Sequence, residues 1–248
     1  MITTMQEAGA KIEKRILFIN DDLVVVNKCS GESMDGTGVS SKSGIIDLGR
    51  LLADYLGTSP AARLPAAVHR LDVPVTGCAL FARTAEAVSF LGKSFAKSVY
   101  EEGRAEKYYW AAVENSPDFR ALPEVGEIVH WIQTNKKKNK SSAWDKPQTQ
   151  RKEAVLRYRV KHCGKNYGFL EIELVTGRHH QIRAQFAALG IHVKGDLKYG
   201  AKRSEKSGGI RLHARSLYFP DPSVAGNFIT VTAAPPVMDR LWRDFLDS

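Results

Sequence analysis

The residues best suited to chemistry fall in a few short blocks. The first is Val68-His69-Arg70-Leu71-Asp72, followed by Thr76-Gly77-Cys78-Ala79-Leu80-Phe81-Ala82. It sets one acid between a basic dipeptide and an apolar, strand-like run. This is the pattern of a carboxylate presented on a loop at a sheet edge, with cations beside it that favour its charged form. In a shaped pocket such a carboxylate is a nucleophile, a base or a metal ligand; on an open surface it makes only a salt bridge. The second block is Thr176-Gly177-Arg178-His179-His180-Gln181-Ile182-Arg183, continued by Gly195-Asp196-Leu197-Lys198-Tyr199-Gly200. Its basic residues gather at the start of a helix expected over 179–189, where free backbone amides favour anions. Neighbouring residues on a helix point apart, so His179-His180 makes a poor zinc pair. A third feature is Lys136-Lys137-Lys138-Asn139-Lys140. Its like charges repel unless a polyanion neutralises them, so it reads as a phosphate contact or as a plain solvated loop.

The elements around these blocks follow from periodicity and punctuation. Leu23-Val24-Val25-Val26 is a β-rich run after an Asn20-Asp21-Asp22 turn. Residues 36–44 are Gly/Ser/Lys-rich and expected to be mobile. Ser43 then caps a helix with Ile45, Leu48, Leu52, Tyr55 and Leu56 on one face and Gly57 as its stop. A second helix is expected from Thr84 to Glu102, with a stripe of Val88, Leu91, Phe95 and Val99 and a stop at Gly103. Lys107–Val113 alternates large and small residues as a strand does. Residues 114–150 read as irregular, with Trp131 and Trp144 flanking the lysine cluster. Arg151–Tyr158 and Gly168–Val175 show β patterning and can pair through a turn near Gly164-Lys165-Asn166. Pro235-Pro236 introduces a short terminal helix with Leu241, Trp242 and Phe245 as its apolar contacts.

His69-Arg70-Leu71-Asp72, with Gly77 five residues after the acid, closely resembles the signature of the RluA family of RNA pseudouridine synthases. Lys107-Tyr108-Tyr109-Trp110-Ala111 is similar to the family's Lys-x-Tyr-x-Ala. Thr176–Arg183 is similar to Thr-Gly-Arg-x-His-Gln-Ile-Arg, with His179 at the variable position, and Leu212-His213-Ala214 matches a Leu-His-Ala segment. Departures stand out in two places. Asn27-Lys28-Cys29-Ser30-Gly31 has Cys29 where the family has proline, and Asp35 stands where it has histidine; Thr76 replaces the commoner serine before Gly77. The resemblance covers about residues 16–245 and implies an α+β fold, a mixed, mostly antiparallel sheet flanked by helices with a central RNA-binding cleft. It implies Asp72 as the catalytic acid, Tyr109 as the residue stacking on the target base, and Arg183 as the basic partner of the carboxylate. Leu212 would line the pocket beneath the uracil. His69, Arg70, Leu71, Arg178 and Lys136, Lys137 and Lys138 join it as substrate-binding candidates. Residues 1–15 are expected to be a leader too short for the S4 RNA-binding domain that relatives often carry, leaving 16–248 as a stand-alone catalytic domain. No metal, nucleotide or redox cofactor is implied.

The bulk composition agrees with these readings. The 248 residues carry a net charge of +9, which fits a polyanion partner such as nucleic acid, although many proteins without one are also basic; the resemblance implies that the partner is ribosomal or transfer RNA. An apolar content of 43% supports an ordinary core. The three cysteines are widely spaced, which disfavours a disulfide framework and favours a reducing cytoplasm. No apolar run nears the roughly 18 residues of a membrane helix. A monomer is the default. The departures in the first motif leave a second class open, an RNA-binding protein or chaperone on the same scaffold without catalysis. A metal-dependent hydrolase built on the histidines is disfavoured by their spacing.

Overall fold

The computed structural model describes residues 12–36, 43–58, 65–98, 101–206 and 208–246. Most of the expected leader, most of the stretch 36–44, and Val99 lie outside the described residues. The fold is mixed α/β with mostly antiparallel strands and few helices, and the chain divides into two compact units. Unit 1 comprises Met1–Glu106 and Ala214–Pro236, and unit 2 comprises Lys107–His213 and Val237–Ser248.

In unit 1, β1 (Ile16–Ile19) and β2 (Leu23–Lys28) form a hairpin. Its turn is held by the Asn20 side chain, which accepts from the amides of Asp22 and Leu23 at 3.0 and 2.9 Å. β2 pairs antiparallel with β6 (Thr76–Ala82), and β5 (Ala66–Ala67) also pairs with β6. β3 (Glu32–Ser33) and β4 (Ile46–Asp47) make a short parallel pair. β12 (Leu212–Pro220) pairs with β13 (Phe228–Thr232) from Ser216 onward. The core gathers Leu23, Val25, Leu80, Leu91, Leu217, Phe219 and Val231, so β2 and β6 read as apolar runs because they are buried.

The two helices expected in this unit are both shorter than their apolar stripes suggest. α1 covers Leu48–Leu56 and is capped by Asp47, whose side chain accepts from the Arg50 amide, and not by Ser43. The residues that would have formed its first turn are drawn into β4. Gly57 ends it in the left-handed conformation, as its position requires. α2 covers Ala85–Ala96 with Thr84 as its cap, and it stops at Lys97, before Glu102.

In unit 2 the strand order is β7 (Glu106–Glu114), β11 (Tyr167–Leu174), β10 (Lys152–Cys163), β8 (Val125–Asn135) and β9 (Lys140–Trp144), antiparallel throughout. The expected β10–β11 hairpin is present. The region 114–150 is a correction: it holds the four-residue α3 (Pro117–Arg120) and the long β8–β9 hairpin. Alternation in β8 buries Ile128, His130 and Ile132 and exposes Glu127 and Val129. The polar His130 on the buried face hides that pattern. α4 (Gln181–Ala188) packs on this sheet, with Gln185 donating to the carbonyls of Ile128 and Ala154 at 3.1 and 3.0 Å. α5 (Arg240–Leu246) packs Trp242 and Phe245 against Trp110 and Phe169, as its sequence suggests.

Candidate active site

Asp72 lies half-buried in a turn whose carbonyl accepts from the Val75 amide at 3.0 Å. Lys28, fully buried at the end of β2, braces that turn. Its ammonium donates to the carbonyls of Cys29 (3.1 Å), Asp72 (3.2 Å), Val73 (3.1 Å) and Val75 (2.6 Å). Burial lowers the Lys28 pKa from 10.5 to about 8, opposed mainly by the negative charges of Glu32 and Asp72. A buried ammonium needs such partners, and here most of them are the backbone of the turn that presents Asp72. Gly31 adds a bond from its amide to the Val73 carbonyl at 3.0 Å. Gly77 closes the far end. It has φ +114°, and a Cβ there would lie 2.2 Å from the Ala214 carbonyl oxygen, so only glycine fits.

The neighbours of Asp72 divide by role. His69 turns inward: its Nε2 accepts from the Leu80 amide at 3.2 Å, and its ring stacks on Phe95 at 5.2 Å. Leu71 is buried, with its amide 3.1 Å from the Met34 sulfur. Arg70 is exposed and pairs with Asp35 at 3.2 Å. An exposed pair is worth under about 1 kcal/mol, so an incoming anion can compete for Arg70. The two departures in the first motif are both engaged. The Cys29 amide donates to Glu32 at 2.7 Å, a bond proline could not make, and Glu32 in turn holds Arg15 through both carboxylate oxygens at 2.8 and 2.6 Å. Asp35 is the partner of Arg70.

In unit 2, β7 turns Tyr109 to a buried position, 5% exposed and opposite Ile172, while Tyr108 faces the other side of the sheet at 38% exposed. Lys107 is buried on the Tyr109 side, and Gly177 leaves it room: a Cβ at 177 would lie 3.3 Å from its ammonium. Arg183 is buried and held in a fork by Asp196, at 2.6 Å through Nε and 2.8 Å through Nη2, and its guanidinium lies 4.8 Å from the centre of the Tyr199 ring. Two parallel charged bonds fix the direction of a guanidinium as well as its charge. Arg178 is exposed and donates to the Glu153 carbonyl at 2.9 Å. Leu212 is buried at the start of β12. Lys136, Lys137 and Lys138 are exposed at the β8–β9 turn.

The histidine pair is a correction. α4 begins at Gln181, and His180 has φ +54°, so neither histidine lies on the helix. Their rings stack at 3.8 Å, where a helix would have splayed them. His179 bonds through both ring nitrogens, to Ser141 (2.9 Å) and Asn139 (3.1 Å), and His180 bonds through Nδ1 to the Tyr199 hydroxyl (2.9 Å). No group of three or more metal-capable side chains occurs among the described residues. Sequence reasoning overlooked Lys28, Asp196 and Tyr199 as structural partners. The last two stand in the Gly195–Gly200 run, whose acid and ring were the available signal.

Unit 2 thus holds a fork-held arginine and a buried β-strand tyrosine, and unit 1 a braced carboxylate turn. Comparison with known proteins gives them a class. Residues 22–188 match the family model described as RNA pseudouridylate synthase, and the chain belongs to that family. It is an enzyme of the isomerase class that converts uridine in RNA to pseudouridine. An uncharacterized RNA pseudouridine synthase of Zymomonas mobilis is 30% identical over 212 residues, covering 83% of this chain and 87% of the relative. A tRNA pseudouridine synthase C of Haemophilus ducreyi is 26% identical over 94% of each chain. The structure of human RNA pseudouridylate synthase domain containing 4 shares the fold, with a TM-score of 0.69 over 100% of this chain and 97% of that one, at 19% identity.

Proposed function

We propose that this protein isomerises specific uridines of structured ribosomal or transfer RNA, with Asp72 as its catalytic carboxylate. The reaction breaks the C1′–N1 bond of uridine, turns the base and rejoins it through C5, whose proton leaves as N1 gains one. In this reading the target base is extruded from its stack, at a cost of a few kcal/mol. Tyr109 stacks on the uracil and returns about 1–3 kcal/mol. Arg183 is the basic partner that keeps the carboxylate charged, and Leu212 lines the pocket beneath the base. Arg70, Arg178 and Lys136, Lys137 and Lys138 meet phosphates, while His69 and Leu71 hold the Asp72 turn in shape. The enzyme works as a monomer in the cytoplasm, without a metal or organic cofactor.

The observation that carries this reading is the Asp72 turn. Three of its carbonyls bind one buried ammonium, and its far end rests on a glycine that admits no side chain. Such construction around a single half-buried acid is costly for a plain salt bridge and suits a group that must be aimed. The test is to incubate the protein with total RNA from cells lacking it and map pseudouridine. Wild type should create at least one new site, and Asp72→Asn, which keeps the shape and removes the charge, should create none. No new site with wild type, or equal product from Asp72→Asn, would overturn the assignment.

A further inference from the structure

The lysine cluster is not loosely tethered. The last ladder pair of the β8–β9 hairpin is Asn135 with Lys140, so the turn consists of Lys136-Lys137-Lys138-Asn139. Within the turn, the Lys138 amide donates to the Asn135 side chain at 3.0 Å, and the Asn139 amide donates to the Lys136 carbonyl at 3.2 Å. Asn139 takes the left-handed conformation, φ +45°, which asparagine tolerates better than most residues. That conformation accompanies two ties made by Asn139. Its side-chain oxygen lies 3.1 Å from His179 Nε2, and its carbonyl accepts from Lys198 at 3.1 Å.

A second tie lies one step into β9. Ser141 Oγ is 2.9 Å from His179 Nδ1 and 3.0 Å from Thr134 Oγ1, and the Ser141 amide donates to the Tyr199 hydroxyl at 2.8 Å. With Nε2 facing an amide oxygen, His179 carries its proton there and accepts the Ser141 hydroxyl at Nδ1. One imidazole therefore spans the root of the lysine turn. It does so from the residue between Arg178 and His180, in the block that also carries Arg183. Four lysines in five residues repel one another, and pinning their turn concentrates that repulsion. A pinned cationic turn is preorganised for a polyanion, because the ordering cost of binding is met in advance.

We infer that the β8–β9 hairpin is a rigid RNA arm, and that His179, with Asn139, is a positioning residue that sets where phosphates bound at Lys136–Lys138 lie relative to the Arg178–Arg183 block. This rests on the RNA-modifying reading above and adds to it the residue that fixes the arm. The sequence had left His179 at a position with no assigned role.

The test measures binding of a labelled stem–loop RNA across a salt series, with polyuridylate as the unstructured control. The triple variant K136A/K137A/K138A should flatten the salt dependence by about 0.7–0.9 in slope for each phosphate it no longer neutralises. His179→Ala should weaken stem–loop binding about fivefold, the scale of one orienting hydrogen bond. His179→Gln, which offers a donor and an acceptor at similar reach, should restore it. In the lysine-free background His179→Ala should change nothing further, since the pin acts through the lysines. Should His179→Ala fail to fold, Asn139→Gly keeps the left-handed backbone, cuts the side-chain tie and takes its place. The inference is overturned if lysine removal leaves the slope unchanged, if the His179 effect persists without the lysines, or if glutamine restores nothing. All of these are binding readouts. A wild-type protein that binds through the hairpin yet forms no pseudouridine would sink the catalytic reading alone, and an active enzyme with lysine-independent binding would sink the arm alone.

Discussion

Replacing Lys28 with methionine would separate holding the Asp72 turn from holding the fold. The side chains are similar in length, so the buried space stays filled. What disappears is an ammonium that donates to four carbonyls, three of them in the Asp72–Val75 turn. Two of these keep another partner: the Asp72 carbonyl accepts from the Val75 amide, and the Val73 carbonyl accepts from the Gly31 amide. The loss therefore falls on the Cys29 and Val75 carbonyls, at about 1–3 kcal/mol for each buried acceptor left short. Against this stands the burial of the charge itself. A pKa lowered from 10.5 to about 8 corresponds to about 3 kcal/mol that methionine relieves. The two nearly offset, so global stability should move by only about 1–2 kcal/mol. The turn, by contrast, loses the group that fixes the direction of Asp72. A misplacement of about 1 Å in a reacting group costs on the order of 10²-fold in rate. Single-turnover pseudouridine formation should therefore fall about 100-fold while the urea midpoint shifts by less than about 1 M.

The pH dependence adds a second readout. Lys28 has a folded pKa below its unfolded one, so below about pH 8 both states carry the proton and the burial cost is fully present. From about pH 8 to 10.5 the native state binds fewer protons, and the Lys28 contribution to stability rises with pH. Over the same range the clasp on the turn loses a proton, so the wild-type rate should fall as stability gains. Lys28→Met should show neither change. A methionine variant with wild-type turnover, or one whose rate falls only in step with global unfolding, would refute this account of the turn.

Three further outcomes follow from the packing. Glu205 is pushed up by burial, but hydrogen bonds from Arg211 and Lys194 outweigh this and hold it at about 2. Its contribution is present above the unfolded value of 4.5 and lost as pH falls towards 2. Glu205→Gln should thus cost about 2–3 kcal/mol at pH 7, screening allowed for, and the gap between the two urea curves should narrow below pH 4.5. Gly77→Ala drives a methyl group into the Ala214 backbone and should cost over about 4 kcal/mol, whereas Gly92→Ala, on α2 with nothing within 4 Å, should stabilise by up to about 1 kcal/mol; thermal melts compare them. Cys29→Pro removes the amide that donates to buried Glu32, so urea unfolding should show a loss of about 1–3 kcal/mol.

The parts that sequence could read are those whose cause is local. Thr84 caps α2 and Gly57 ends α1 because capping is decided within a turn of helix. β10 and β11 pair across a short turn, and Tyr108 and Tyr109 face opposite sides because strand alternation allows nothing else. The unread parts depend on partners far along the chain. Lys28 looks like the solvated end of a strand until residues 72–75, more than forty positions on, supply its carbonyls. His180 breaks the helical period because it takes a left-handed conformation, with its ring bonded to Tyr199 nineteen residues later. The β8–β9 hairpin is hard to read from its own residues. Its exposed tip is lysine, its buried face carries His130, and the ties that stiffen it come from His179 and Lys198, which no pattern within 125–144 contains. Motif recognition therefore names the chemistry, whereas the restraints that aim it are long-range and emerge only once the chain is folded.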